Sequence, residues 1–203
     1  MAEYLITGGA GFIGCNIVFE LLKRGHSVRV LDNFSTGKQC NLDKVSKDIE
    51  LIEGDIRSYH IVQEAVEGIS YVLHQAALPS VPRSIKDAIT TSEVNVQGTL
   101  NLLEASLRAG VKRLIFASSS SVYGDTPKLP KDEMMKVRPI SPYAVSKLAA
   151  EFYCRSYYRI YGLETVSLRY FNVFGPNQNP HSQYAAVITK FVSTSGDGRE
   201  ITV

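Results

Sequence analysis

Short runs of aliphatic and β-branched residues alternate along this chain with longer runs of helical period, and few architectures accommodate that alternation. Residues 3–7, 27–31, 49–53, 71–73, 113–117 and 164–169 read as strands. Most are nearly continuous apolar stretches, as strands covered on both faces require. Residues 12–24, 59–66, 88–109 and 142–161 carry the helical period. In the first of these, Ile13, Ile17 and Leu21 take an apolar side and Glu20 and Arg24 a polar one, with Phe19 at the stripe's edge. Gly25, Gly110 and Gly162 each follow a helix where a left-handed residue is often needed, and Pro142 sits where a first turn tolerates proline. Strands separated by helices call for right-handed crossovers, so the expected fold class is α/β, a doubly wound parallel sheet.

Composition narrows the options further. The chain has 203 residues, enough for one sizeable domain, with 44% hydrophobic and 21% charged residues, which disfavours disorder as the main state. A net charge of +2 gives no reason to expect nucleic acid or an anionic membrane as partner. Cys15, Cys40 and Cys154 are odd in number and far apart, resembling neither a disulfide framework nor a metal site, so a reducing compartment is expected. No apolar run approaches the roughly 18 residues of a membrane span, and the N-terminus enters a strand at once rather than a signal peptide. A soluble, cytoplasmic protein is expected. The loops 33–43 and 123–141 are long and polar, the second holding Pro127, Pro130 and Pro139, and loops of that length are more often functional than filler. Beyond Asn172 come Gly175, Pro176, Asn177 and Pro180, a helix near 184–191 and a strand-like 201–203 with nothing after it, the pattern of a truncated chain.

The first strand runs into Gly8-Gly9-Ala10-Gly11-Phe12-Ile13-Gly14, which opens a helix. Gly8, Gly11 and Gly14 suit a chain that turns sharply, brings backbone amides to a pyrophosphate and packs helix on strand, with the positive helix end facing the phosphates. Such spacing arises by chance in roughly one chain in ten of this size, so its context carries the argument. The second strand ends at Asp32, where a carboxylate accepts hydrogen bonds from adenosine ribose hydroxyls and repels a 2′-phosphate. Asn33 adds no positive charge to reverse that preference, so NAD is expected rather than NADP. Asp55 and Ile56 follow the third strand, placed to bracket adenine.

Tyr143 and Lys147 lie one helical turn apart on one face. Eleven tyrosines with a similar number of lysines give about 0.6 such pairs by chance, so location again decides. The pair opens the helix after the fifth strand, which ends in Ser118-Ser119-Ser120-Ser121, and strand C-termini line the ligand crevice of such sheets. A tyrosine of pKa near 10 needs about 4 kcal/mol of phenolate stabilisation to reach neutrality. An ammonium at about 6 Å supplies about 3 kcal/mol at an effective dielectric near 20, and a positive nicotinamide ring can provide the rest. A serine hydroxyl within reach passes or orients the substrate proton.

With these residues in view, the chain resembles the extended short-chain dehydrogenase/reductase family and, within it, the NAD-dependent nucleotide-sugar epimerases and dehydratases. The matching stretches are Thr7 to Gly14, Asp32-Asn33, Gly54 to Arg57, His74 to Ala77, Asn95 to Thr99, Ser118 to Gly124, Pro142 to Lys147 and Leu168 to Asn172. They follow the family's order over essentially the whole chain, and look closest to its UDP-sugar 4-epimerases. The resemblance implies a Rossmann fold over residues 1–175, with 176–203 beginning an incomplete substrate-binding region. It makes Tyr143 the base, Lys147 its electrostatic partner and a nicotinamide-ribose ligand, and Ser119 the hydroxyl residue. Phe12 and Ile13 would offer amides to the pyrophosphate, Ala76 and Asn95 would lie along the cofactor, and Tyr170 would approach its nicotinamide end. Asn172 would meet the substrate diphosphate, and Ser80, Val81 and Arg83 would lie beside the sugar. Asn172 also reads simply as a turn residue before Pro176.

The family's 4,6-dehydratases carry an Asp-Glu pair where this chain has Ser120 and Ser121, and its UDP-glucuronate decarboxylases a Glu at the second position. Epimerisation through a 4-keto sugar is the expected reaction. An NAD-binding fragment without turnover and a net dehydrogenase are the competing readings. A homodimer is expected through paired helices 88–109 and 142–161, with Leu148, Tyr153, Tyr157 and Tyr158 contributing; packing of those aromatics on the sheet is the equal alternative.

Overall fold

The computed structural model of the chain describes residues 3–178. Parallel strands β1 (Tyr4–Thr7), β2 (Val28–Asp32), β3 (Ile49–Glu53), β4 (Tyr71–His74), β5 (Arg113–Ser119) and β6 (Glu164–Tyr170) form one sheet in the order β3-β2-β1-β4-β5-β6. The order reverses between β1 and β4, which places the ligand crevice at their C-terminal ends. Alternating side chains serve two cores. Leu5, Leu31, Val72, Leu114 and Phe116 face helices α2 (Tyr59–Val66), α5 (Gly98–Arg108) and α6 (Pro142–Tyr161). Ile6, Val28 and Val30 face Cys15 and Val18 of α1 (Phe12–Lys23). Gly25, Gly110 and Gly162 all adopt positive φ after their helices, as expected.

Two expectations need correction. Only the central strands are covered on both faces: β2 is buried throughout, whereas the edge strands leave Leu51, Val166 and Leu168 about two-fifths exposed. The helix expected over 88–109 is interrupted. It divides into α4 (Ala88–Ser92), a wider π-helical turn over Glu93–Gln97, and α5. The periodic pattern ran on through the turn because one extra residue there re-registers the apolar face without changing composition. A short helix, α3 (Val81–Lys86), lies in a stretch whose pattern announced no element, capped by the Ser80 hydroxyl accepting from Arg83 N–H at 3.0 Å. The helix expected near 184–191 and the strand at 201–203 lie outside the described residues.

Candidate active site

At the crest of β1 the backbone turns at Gly8 with φ +71°, and a Cβ there would stand 2.6 Å from the Ala76 nitrogen. A Cβ on Gly14 would stand 2.1 Å from the Gly8 carbonyl oxygen. Neither position has room for a methyl group, so turn, helix and β4 exit close into a cradle made of backbone. Helix α1 begins at Gly11 with no side-chain cap, which leaves the first-turn amides of Phe12 and Ile13 for an anion. Asp32 is 8% exposed. Its carboxylate accepts from Ala10 N–H at 2.9 Å and from Phe34 N–H at 2.8 Å, tying the loop to the glycine turn. A carboxylate offers about four lone-pair sites, so capacity for ribose hydroxyls is left. Asn33 donates to Asp55 at 2.9 Å, and Arg57 pairs with Asp55 at 2.8 Å. The Arg57 hydrogen bonds hold the Asp55 carboxyl below the usual carboxylate range. Ile56 is buried against Gly98, where a Cβ would come within 2.5 Å of its Cδ1.

The other half of the crevice gathers the acid–base groups. Ser119, the last residue of β5, pairs with Tyr170 of β6. Its hydroxyl oxygen accepts from Ser121 N–H at 3.2 Å and from the Ser121 hydroxyl at 2.9 Å, so its own proton is free to be donated. Helix α6 starts at Pro142, capped by Ser141 accepting from Ala144 N–H at 3.1 Å, and this start sets Tyr143 beside the Ser119 hydroxyl. One turn on, Lys147 is 3% exposed. Its ammonium donates to the Ala117 carbonyl at 2.9 Å and lies 6.0 Å from the Tyr143 ring centroid. Burial pushes Lys147 down to about 8. Tyr143 differs from the expectation: burial raises its pKa above the ordinary value, and only the Ser119 hydrogen bond pulls the other way. The Lys147 ammonium lies over the ring, and among the described residues only the Ser119 hydroxyl offsets the burial of the phenol.

A buried polar chain backs both halves. His74 takes a hydrogen bond from Thr7 at Nδ1 (2.7 Å) and meets Thr99 at Nε2 (2.9 Å). Thr99 itself donates to the Asn95 carbonyl at 2.7 Å, so it accepts from the ring, and the network selects the neutral Nε2–H tautomer. Burial, with the Lys147 charge added, holds His74 down to about 3. Asn95, 1% exposed, has both amide donors and its oxygen engaged. It accepts from Leu78 N–H at 2.8 Å and donates to the Leu78 carbonyl and to Ser146, which is seated beside Lys147. Its side chain therefore ties the Leu78 backbone, after β4, to Ser146 of α6.

The expected substrate residues lie at the rim. Ser80 sits at φ 115°, a strained backbone of the kind that clusters at functional sites; Arg83 on α3 and Asn172 after β6 are exposed. Tyr170 is half-buried, with a pKa raised by burial. Ser118 and Arg169, behind Ser119, both bond Glu151 of α6, the arginine at 2.8 Å. Four residues escaped sequence reasoning. His74, Gln75 and Arg57 stood inside quoted motifs, but nothing in the sequence announced their partners; Ser121 counted only for the carboxylate it lacks. Tyr157 is not available to a dimer face: it is buried, and its hydroxyl donates to Glu104 at 2.9 Å. No group of three or more His, Cys, Asp or Glu side chains able to hold a metal, and no helix long and apolar enough to cross a membrane, occurs among the described residues.

Comparison with known proteins agrees with this geometry. The model of the NAD dependent epimerase/dehydratase family matches residues 4–203. A UDP-N-acetylglucosamine 4-epimerase structure from Methanobrevibacter ruminantium, in complex with UDP-N-acetylmuramic acid, is 39% identical with a TM-score of 0.91, covering 100% of this chain and 66% of that one. A Thermus thermophilus UDP-glucose 4-epimerase complexed with NAD is 43% identical with a TM-score of 0.88, covering 99% and 65%. A UDP-N-acetyl-alpha-D-glucosaminuronate decarboxylase from Bacillus cytotoxicus is 37% identical over 98% of this chain and 63% of its own length. The chain thus spans just under two thirds of each of these three relatives and about half of others it matches. A glycine cradle without room for a methyl, an uncapped helix start and a ribose-side carboxylate fit one dinucleotide, and the chain belongs to the NAD-dependent epimerase/dehydratase family, with NAD as its cofactor.

Proposed function

We propose that the protein is an NAD-dependent UDP-sugar 4-epimerase, acting on UDP-glucose and UDP-galactose or on their N-acetyl forms. The observation that carries this reading is Tyr143 beside Ser119 and one turn from buried Lys147, with hydroxyls at Ser120 and Ser121. Tyr143 takes the proton of the sugar 4-hydroxyl, and Ser119, whose oxygen is held by Ser121, donates to that same oxygen and orients it. Bound NAD supplies the hydride acceptor for C4 and afterwards the donor. The 4-keto sugar turns over in the site, and Tyr143 returns the proton on completion, so no net oxidation occurs. Asn172 is assigned to the diphosphate, and Ser80 and Arg83 to the sugar rim. Ser120 and Ser121 offer no carboxylate for eliminating water or for the decarboxylase chemistry of the Bacillus cytotoxicus relative.

The test is an assay of the complete reading frame with UDP-glucose and with UDP-N-acetylglucosamine. The reading expects the C4 epimer with no accumulation of reduced nicotinamide. Steady accumulation identifies a dehydrogenase, and NAD binding without any turnover identifies a scaffold. Two further assignments accompany this one. Helix α6 presents Phe152, Tyr153 and Tyr158 outward, which supports a homodimer through that helix, to be checked by sedimentation. Free thiols at Cys15, Cys40 and Cys154 support a cytoplasmic location.

A further inference from the structure

Behind the acid–base groups, one carboxylate holds three elements together. Glu151 lies one turn beyond Lys147 and two beyond Tyr143 on the same face of α6. It accepts from the Ser118 hydroxyl on β5, and from Arg169 Nε and Nη2 on β6 at 3.0 and 2.8 Å. Ser118 and Arg169 are partners in the sheet register, and the next rung is Ser119 with Tyr170. The carboxylate therefore clips β5 to β6 one residue below the Ser119 rung and fixes both strands to α6. Three successive β5 residues meet that helix: Ala117 through its carbonyl to Lys147 at 2.9 Å, Ser118 through Glu151, and Ser119 beside Tyr143. The guanidinium also lies 4.8 Å from the Tyr123 ring centroid, which extends the contact to the short turn carrying Ser121. Stability alone is a poor reason for such a pair. The Arg169 and Glu151 side chains are only 20% and 11% exposed, and Arg169 Nη1 is buried with no hydrogen-bond partner among the described residues. An apolar pair of similar volume would fill the space without that desolvation cost.

We infer that Glu151 and Arg169 are positioning residues that set the Ser119 hydroxyl against Tyr143, so that both address one substrate oxygen. The inference rests on the proposed epimerase reading, in which Ser119 and Tyr143 meet the sugar 4-hydroxyl. Tyr143 and Lys147 are spaced by one helix and need no such tie. Ser119 and Tyr143 come from different elements, the end of β5 and the first turn of α6, so their separation depends on how the strand sits against the helix. A misplacement of about 1 Å costs on the order of 10²-fold in rate. Arg169 engages both Glu151 oxygens through two nitrogens, which fixes orientation as well as distance.

The experiment combines Ser118→Ala, Glu151→Leu and Arg169→Met in the complete protein, which removes the polar cluster without stranding a buried charge. Glu151→Gln, whose amide oxygen still accepts, is the conservative variant. The readouts are steady-state kinetics with UDP-glucose or UDP-N-acetylglucosamine, whichever the parent turns over, calorimetric NAD affinity and thermal unfolding. Each is repeated on a Ser119→Ala background. The expected result for the combined variant is kcat lower by about tenfold or more, with KM and NAD affinity within about twofold of the parent. Its unfolding temperature should stay within about 3 °C, and Glu151→Gln should recover most of the turnover. On the Ser119→Ala background the same substitutions should cost less than about twofold, because the hydroxyl they position is gone. Turnover within about twofold of the parent, or an equal fold-loss with and without Ser119, would overturn the inference. If the combined variant does not fold, Ser118→Ala alone decides: a loss of about fivefold in kcat that vanishes without Ser119 supports the inference, and any other result overturns it. If the parent itself shows no epimerisation, the underlying reading of the site falls instead, and the two failures are told apart.

Discussion

The two halves of the crevice are built on different physical terms. The half assigned to adenosine, at β1–β3, is built from backbone: a cradle with no room for a methyl at Gly8 or Gly14, an uncapped helix start, and carboxylates at Asp32 and Asp55 bonded to amides or to partly exposed Arg57. The β4–β6 half holds its ionisable groups out of water. Lys147 and His74 are almost fully buried and pushed down to about 8 and about 3, and Tyr143 is pushed up. Binding needs shape and fixed dipoles, which tolerate solvent. Proton transfer needs groups whose charged forms are disfavoured until a ligand arrives, and burial provides that.

The sharpest way to break this comparison is to remove a group from one half and look for damage in the other. Tyr143→Phe is expected to lower turnover by about 10²–10⁴-fold with NAD affinity unchanged, checked by steady-state kinetics alongside titration. Gly14→Ala is expected to do the reverse. Its methyl cannot coexist with the Gly8 carbonyl, so NAD binding should be lost and the stability extrapolated from urea unfolding should fall by about 3 kcal/mol. Gly25→Ala, at φ +81° in open space, should cost only about 1 kcal/mol and leave NAD affinity alone.

Stability against pH sharpens the contrast at a smaller scale. His74 in the folded protein titrates below its unfolded value, so the folded state binds fewer protons, and stability falls as pH drops from 6.5 towards about 3. The limiting slope is about 1.4 kcal/mol per pH unit. Lys147 is likewise depressed, and stability is expected to rise as pH increases from about 8 through 10.5. Urea midpoints measured across both windows check this; His74→Gln should flatten the acid limb and Lys147→Met the alkaline one. Arg57→Ala, which removes a partly exposed ion pair, should change stability by less than about 1 kcal/mol.

Legibility in the sequence divides along the same line. Period and glycine spacing were enough for the sheet, for the α2 and α6 boundaries and for the glycine cradle, because each is a local consequence of residue type. Tyr143 and Lys147 were legible for the same reason, being one turn apart on one helix. The π-helical turn at Glu93–Gln97 was not, since an added residue in a helix leaves no mark on composition. Nor was the chain from Thr7 through His74 and Thr99 to Asn95, whose first two members are 67 positions apart in sequence and meet only through strand register. At Tyr143 the ammonium one turn along was legible and the desolvation of the phenol, which depends on what packs around it, was not; burial raises its pKa.

The most direct measurement is the phenolate absorbance of the complete protein, titrated with base before and after saturation with NAD, with Tyr143→Phe as the reference. Without the dinucleotide, Tyr143 should ionise above the ordinary tyrosine value of 10.0, and with NAD bound its transition should move down towards neutrality and be missing from the phenylalanine variant. A transition that NAD leaves in place would contradict the account, because among the described residues burial raises the Tyr143 pKa and only the Ser119 hydroxyl lowers it.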